Sequence, residues 1–221
     1  MPRWGVRTIP ELTLPATGVR PTVQTATRAP PEAGHKGDGD NHVGQDTATA
    51  AAKALRLLNT ADMRQQPARG PQERRAASTT PGTPLNLSIV DYLTKTVAEV
   101  RDHTRQIAPQ AGPMPQHLEG IYDWYIQHTG DADEAEARYR DLLIERHRLE
   151  HAVRLGETDV VCREPCPGCG CWGLMWQPGG NRARCTNRRC RTPDGMTSSW
   201  TLARLAAQKV QRAEIWRRNA T

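Results

Sequence analysis

The apolar positions are organised differently in three stretches of the chain. From Leu85 onward, Ile89, Val90, Leu93, Val97, Val100 and Ile107 recur three and four residues apart, the spacing of one face of a helix of about 20 residues. Ser88, followed three positions later by Asp91, has the form of a capping box at its start. A second helix is expected after Pro115, with Leu118, Ile121, Tyr122, Tyr125 and Ile126 on its face and Gly130 as a left-handed stop. A third follows almost at once: Asp131 or Asp133 caps it, Ala135, Tyr139, Leu142, Leu149 and Val153 form its seam, and Gly156 closes it. Connections this short make neighbouring helices antiparallel, so residues 85–156 read as a small helical bundle. Tyr122 and Tyr125 belong in its core, with Trp124 outward or half-buried.

Upstream the periodicity fades. Residues 1 to about 45 are rich in Pro, Thr, Ala and Gly, with almost nothing to bury, and are expected to be disordered. Asp46 to Gln66 can form a short helix through Ala51, Leu55 and Leu58, although its apolar stripe is thin. Four prolines between Pro67 and Pro84 mark a linker, so residues 1–84 form one region outside the bundle. His35 and His42 have no neighbouring ligands and read as solvated loop histidines.

Downstream the period drops to two. Trp172 to Gln177 reads as a strand, Pro178 to Asn181 as its turn, and Arg182 to Thr186 as the returning strand. Alternation puts Arg182, Arg184 and Thr186 on one face, with Ala183 and Cys185 on the other. Ser198 to Thr201 can add a third strand, and Thr201 caps a terminal helix from Leu202 to about Arg218. The expected fold class is therefore α+β: a bundle at 85–156, then a strand-rich segment and terminal helix at 157–221.

Composition narrows the possibilities. The 221 residues are 37% hydrophobic and contain no Phe, so one large core is not expected. No apolar run approaches the roughly 18 residues of a membrane span, and the basic N-terminus lacks the apolar stretch of a secretory signal. A soluble, cytoplasmic protein is the expectation. Basic and acidic residues number 11 and 7 in residues 1–84, 8 and 14 in 85–160, and 11 and 3 in 161–221. A basic end joined to an acidic middle suggests an anionic partner, nucleic acid first among them. Arg outnumbers Lys 26 to 4, which suits phosphate and guanine but also follows from a GC-rich genome.

All six Cys lie between 162 and 190. In a reducing compartment such a cluster points to metal before disulfides. Cys166-Pro-Gly-Cys169-Gly170 has the form of a zinc-ribbon knuckle: two intervening residues let both sulfurs reach one ion, and Gly170 permits a positive φ. Cys185 and Cys190 form the second pair, and the hairpin between brings the pairs together as a structural, tetrahedral Zn²⁺ site requires. Cys162 and Cys171 are left over, as free thiols or as substitute ligands.

Arg182, Arg184, Arg188, Arg189 and Arg191, with Arg204 on the terminal helix, gather on or near this scaffold as a candidate phosphate-binding face. Trp172, Trp176 and Trp200 can stack on bases or form the small core, and core is favoured for at least two. His147, Glu150 and His151 match the H-x-x-E-H pattern of inverted zinc peptidases. Helical geometry, however, turns both His away from the Leu142, Leu149 and Val153 seam and into solvent, which disfavours a catalytic role.

The run from Cys166 through Cys169, Cys185, Asn187 and Cys190 to Trp200-Thr-Leu-Ala203 resembles the zinc-ribbon segment of uncharacterised proteins of actinobacteria and their phages or integrative elements. The resemblance spans roughly residues 85–210 and implies DNA binding, with no established activity. Some of those proteins continue into a helix-turn-helix after this helix; with Thr221 as the last residue here, base-specific major-groove reading is not expected. The expected function is a non-enzymatic accessory or regulatory factor of a phage or mobile element that binds nucleic acid, DNA before RNA, with weak sequence preference. The alternative is a protein-interaction adaptor that docks its partner through the bundle, with the ribbon only structural.

Overall fold

The computed structural model describes residues 42–65 and 85–220. The expected disorder before about residue 45 and the linker at 67–84 lie outside the described residues, apart from the start of the first helix. The described chain is mostly helical, with one small antiparallel sheet. Its helices are α1 (His42–Leu58), α2 (Ala61–Gln65), α3 (Leu87–Ile107), α4 (Ile121–His128), α5 (Glu134–Leu155), α6 (Asp159–Cys162) and α7 (Leu202–Ala220). Strands β1 (Leu174–Gln177), β2 (Arg182–Cys185) and β3 (Ser199–Trp200) form the sheet in the order β1-β2-β3. No helix among the described residues is long and apolar enough to cross a membrane.

Several local expectations hold. Asp133 caps α5 by accepting from the Glu136 N–H at 2.9 Å, and Gly156 closes the helix at φ +86°. Thr201 Oγ1 accepts from the Arg204 N–H and starts α7. Others are corrected. Asn86, not Ser88, caps α3, and the Ser88 hydroxyl donates to the Asn86 side chain instead. Gly130 is not left-handed: α4 ends at His128 and is capped by Thr129, whose hydroxyl donates back to the Tyr125 carbonyl.

The larger correction concerns α1. Its Ala48, Ala51, Leu55 and Leu58 are all buried, in one cluster with Leu93 and Val100 of α3, Tyr122 and Tyr125 of α4, and Leu143 of α5. What reads in the sequence as a thin stripe outside the bundle is one of its walls. Alanine buries little area itself but lets two helix backbones approach closely, and α1 lies along α5. His42, read as a loop histidine, opens this helix.

α5 is covered on two sides, which the sequence pattern does not reveal. Leu142, Leu149 and Val153 face a second core made with Val161, Leu174, Ala183, Leu202, Leu205 and Ala206. The opposite face enters the bundle, so His147 and His151 are buried rather than solvated as their position opposite the seam predicts. Buried imidazoles need partners on both ring nitrogens, and they have them. His151 lies between the hydroxyls of Tyr92 (2.6 Å to Nδ1) and Tyr122 (2.8 Å to Nε2). His147 lies between Tyr122 (3.1 Å) and Glu99 (3.2 Å), and Arg146 closes the chain on Glu99 at 2.5 Å. The H-x-x-E-H residues thus serve the packing, and Glu150 accepts from Tyr92. Trp124, expected outward or half-buried, is also buried, against Ala108 and Ala111.

This network carries a pH dependence. Burial, reinforced by His147 and Arg154, holds His151 well below its ordinary pKa. The folded state then keeps His151 neutral while the unfolded chain protonates it near pH 6.5. Stability from this source is complete above about pH 6.5 and is lost as the pH falls below it. The melting temperature should drop between pH 7.5 and 5.5, and His151→Gln, which cannot titrate, should flatten that drop; an unchanged slope would contradict the assignment.

The bundle and the C-terminal segment are one packed body, with no break after residue 156. Polar contacts reinforce the junction. Glu145, nearly inaccessible on α5, accepts from Arg148 and from Lys209 of α7 at 3.1 Å. Glu164 accepts from Arg212 at 3.0 Å and from Arg148 at 3.4 Å. Buried carboxylates are tolerated because each meets at least two cations.

Candidate metal centre and the arginine-lined groove

The hairpin has the register that the alternation implies. Leu174 pairs with Cys185, Met175 with Arg184, Trp176 with Ala183 and Gln177 with Arg182. Leu174, Ala183 and Cys185 face inward and are buried, while Met175, Gln177, Arg182 and Arg184 face outward. The turn closes at Asn181, the one non-Gly residue with positive φ among those described. β3 then pairs with β2 through Ala183↔Trp200 and Arg184↔Ser199.

This topology brings Cys166, Cys169, Cys185 and Cys190 together, with all four sulfurs within 4.8 Å of one another. The distances are 3.7 Å from Cys166 to Cys190 and 3.8 Å from Cys169 to Cys185. Those separations are far too long for a disulfide. They match a tetrahedron, since four sulfurs at about 2.3 Å from a common centre lie about 3.8 Å apart. The four cysteines chosen from their spacing are therefore a set that can hold a metal ion.

Neighbouring groups orient the sulfurs. The Gly168 N–H donates to Cys166 Sγ at 3.4 Å, and the Trp200 indole N–H donates to the same sulfur at 3.3 Å. The Asn187 amide lies 3.7 Å from Cys169 Sγ and 3.6 Å from Cys171 Sγ. Gly170 takes the positive φ (+70°) that the knuckle reading expects. Gly168 is required for another reason: a Cβ there would sit 3.1 Å from the Trp200 ring and 3.4 Å from Cys190 Sγ. The backbone N–H of Cys171 leads the effects that lower the Cys169 pKa, to about 6, whereas burial pushes Cys185 up to about 12. A cation at the centre would favour the thiolate at every one of these sulfurs.

The remaining candidates are distributed unevenly. Cys162 at the end of α6 and Cys171 beside the knuckle are exposed and outside the four-sulfur set. Trp176 and Trp200 pack against the second core, whereas Trp172 is 69% exposed. Arg184, Arg188 and Arg191 line a single groove, together with Met175, Asn187 and Thr197. Arg182 shares the outward strand face, Arg189 sits on the second knuckle, and Arg204 on the first turn of α7; none of these three lines the groove. All six arginines are exposed, and none forms a salt bridge among the described residues.

Sequence reasoning missed Trp200 as a donor to a sulfur and Asn187 as the amide between Cys169 and Cys171. The C-x-N-x-x-C spacing was the available signal for Asn187, because a side chain inside a knuckle is confined near its thiolates. Met175 could also have been found, since its outward register opposite Arg184 follows from the alternation. No protein-family model, curated protein or solved structure matches the chain.

Proposed function

We propose that residues 161–201 are a zinc ribbon whose arginine-bearing face binds nucleic acid, and that the protein is a non-enzymatic accessory or regulatory factor. Thiolate donors in a tetrahedral set favour Zn²⁺ among the available divalent ions. Four sulfurs complete its shell and leave no position for substrate or water, so its role is to stiffen the sheet. Free thiols at Cys162 and Cys171 suit a reducing, cytoplasmic setting. The resemblance to ribbon proteins of actinobacteria and their mobile elements points the same way, toward DNA before RNA.

The observation that carries this reading is the gathering of Arg184, Arg188 and Arg191 in one groove with no carboxylate among its lining residues. Residues 161–221 hold three acidic side chains, and two are engaged elsewhere: Glu164 with Arg212 and Glu214 with Arg138. The third, Asp194, does not line the groove.

Titrating full-length protein against a DNA oligonucleotide at rising salt tests the proposal. Three phosphate contacts predict a log–log slope between about −2 and −3, and replacing all three arginines with Gln should weaken binding about tenfold or more on every sequence. Affinity that ignores salt and survives these substitutions would contradict the reading and favour the adaptor alternative.

A further inference from the structure

The groove is concave and partly apolar, features that phosphate attraction alone does not require. Its volume is about 440 Å³, within the roughly 300–1,000 Å³ of sites that enclose a small ligand. Its wall includes Met175, 59% exposed and directly opposite Arg184 in the strand register. Two of the three guanidiniums are fixed by neutral acceptors: Arg184 donates to Thr197 Oγ1 at 3.0 Å, and Arg191 to the carbonyls of Arg188 (3.1 Å) and Gly195 (2.8 Å). Neutral acceptors hold these side chains in place without cancelling their charge, and an Arg with five N–H donors keeps some of them for a ligand.

From this geometry, and resting on the nucleic-acid reading above, we infer that the groove seats a nucleotide of a single strand, the phosphate on Arg184, Arg188 and Arg191 and the unpaired base against Met175. A duplex presents phosphates on a convex ridge and keeps its base faces stacked inside, where a thioether cannot reach them. An unpaired base offers its face, and such faces stack on apolar side chains and on guanidinium planes whatever their sequence. Thr197 and Asn187 on the same wall add polar partners for a sugar or a base edge. The chemistry is common to single-stranded DNA and single-stranded RNA.

Fluorescence anisotropy on the full chain, with a deoxyuridine 20-mer, a uridine 20-mer and a 20-base-pair duplex at one salt concentration, tests the inference. At least one single strand should bind about fourfold more tightly than the duplex, the scale of burying one CH₂ group of the thioether side chain. Met175→Ala, which removes the thioether without adding charge, should bring the single-strand and duplex affinities to within about twofold of each other, and Arg188→Gln should weaken all probes. The two single strands, compared with each other, identify the preferred sugar. Equal or tighter binding of the duplex, or a Met175→Ala protein that keeps its preference, would overturn the groove assignment but leave nucleic-acid binding intact. Binding to none of the three probes would overturn both.

Discussion

Cys166→Ser protein should lose its metal and, with it, the folded sheet. Cys166 is fully buried, and its sulfur accepts from both the Gly168 amide and the Trp200 indole, so it is the ligand most enclosed by protein. The strands supply only four, four and two residues, and three of the buried residues in their core belong to the four-sulfur set: Cys166, Cys185 and Cys190. Without a metal the strands' own share of that core is Leu174 and Ala183 beside polar thiols, too little to offset the entropy of ordering the segment. Structural zinc in comparable peptides contributes roughly 10–16 kcal/mol of apparent free energy, as large as the whole stability of an ordinary domain. Metal analysis should find the Cys166→Ser protein empty, and hydrogen exchange should show residues 166–200 unprotected. Cys171→Ser, outside the four-sulfur set, should keep the metal. Because Leu149, Leu202 and Leu205 share the same core, packing of α7 on α5 should loosen as well.

The second large effect is expected in α1. Leu55 and Leu58 have no accessible surface, and both contribute to the bundle core. Truncating either to Ala removes three carbons from a close-packed interior and leaves a cavity, at a cost of about 3 kcal/mol each. Against the roughly 5–15 kcal/mol by which domains are typically stable, a combined loss of about 6 kcal/mol should lower the urea midpoint of the double variant steeply. Urea denaturation measures both steps. Losses under about 1 kcal/mol per site would mean that α1 is not a wall of the bundle.

Particular residues show where the sequence was legible. Asp133, Gly156 and Thr201 could be placed because a cap or a left-handed stop is a local device with few competing solutions. The hairpin and its face assignment followed from a two-residue period around a Pro-Gly-Gly-Asn turn. The gathering of the four cysteines followed from paired spacing, since a knuckle leaves its sulfurs little freedom. What stayed hidden depends on neighbours distant in sequence. α5 carries apolar residues toward the sheet and histidines toward the bundle, so a one-sided reading sends His147 and His151 into solvent. Only the hydroxyls of Tyr92 and Tyr122, on other helices, make their burial tolerable. α1 was undervalued because its docking face relies on alanines, whose contribution lies in the close approach they permit. The groove was half visible: Arg184 and Met175 follow from register, but Arg188 and Arg191 join them only through the fold of the second knuckle.

Zinc K-edge absorption spectroscopy on the purified chain, with the metal counted in the same sample, addresses the central claim most directly. One zinc per chain surrounded by four sulfurs at about 2.3 Å is the predicted result. A metal-free folded protein, or a first shell containing nitrogen or oxygen donors, would contradict it.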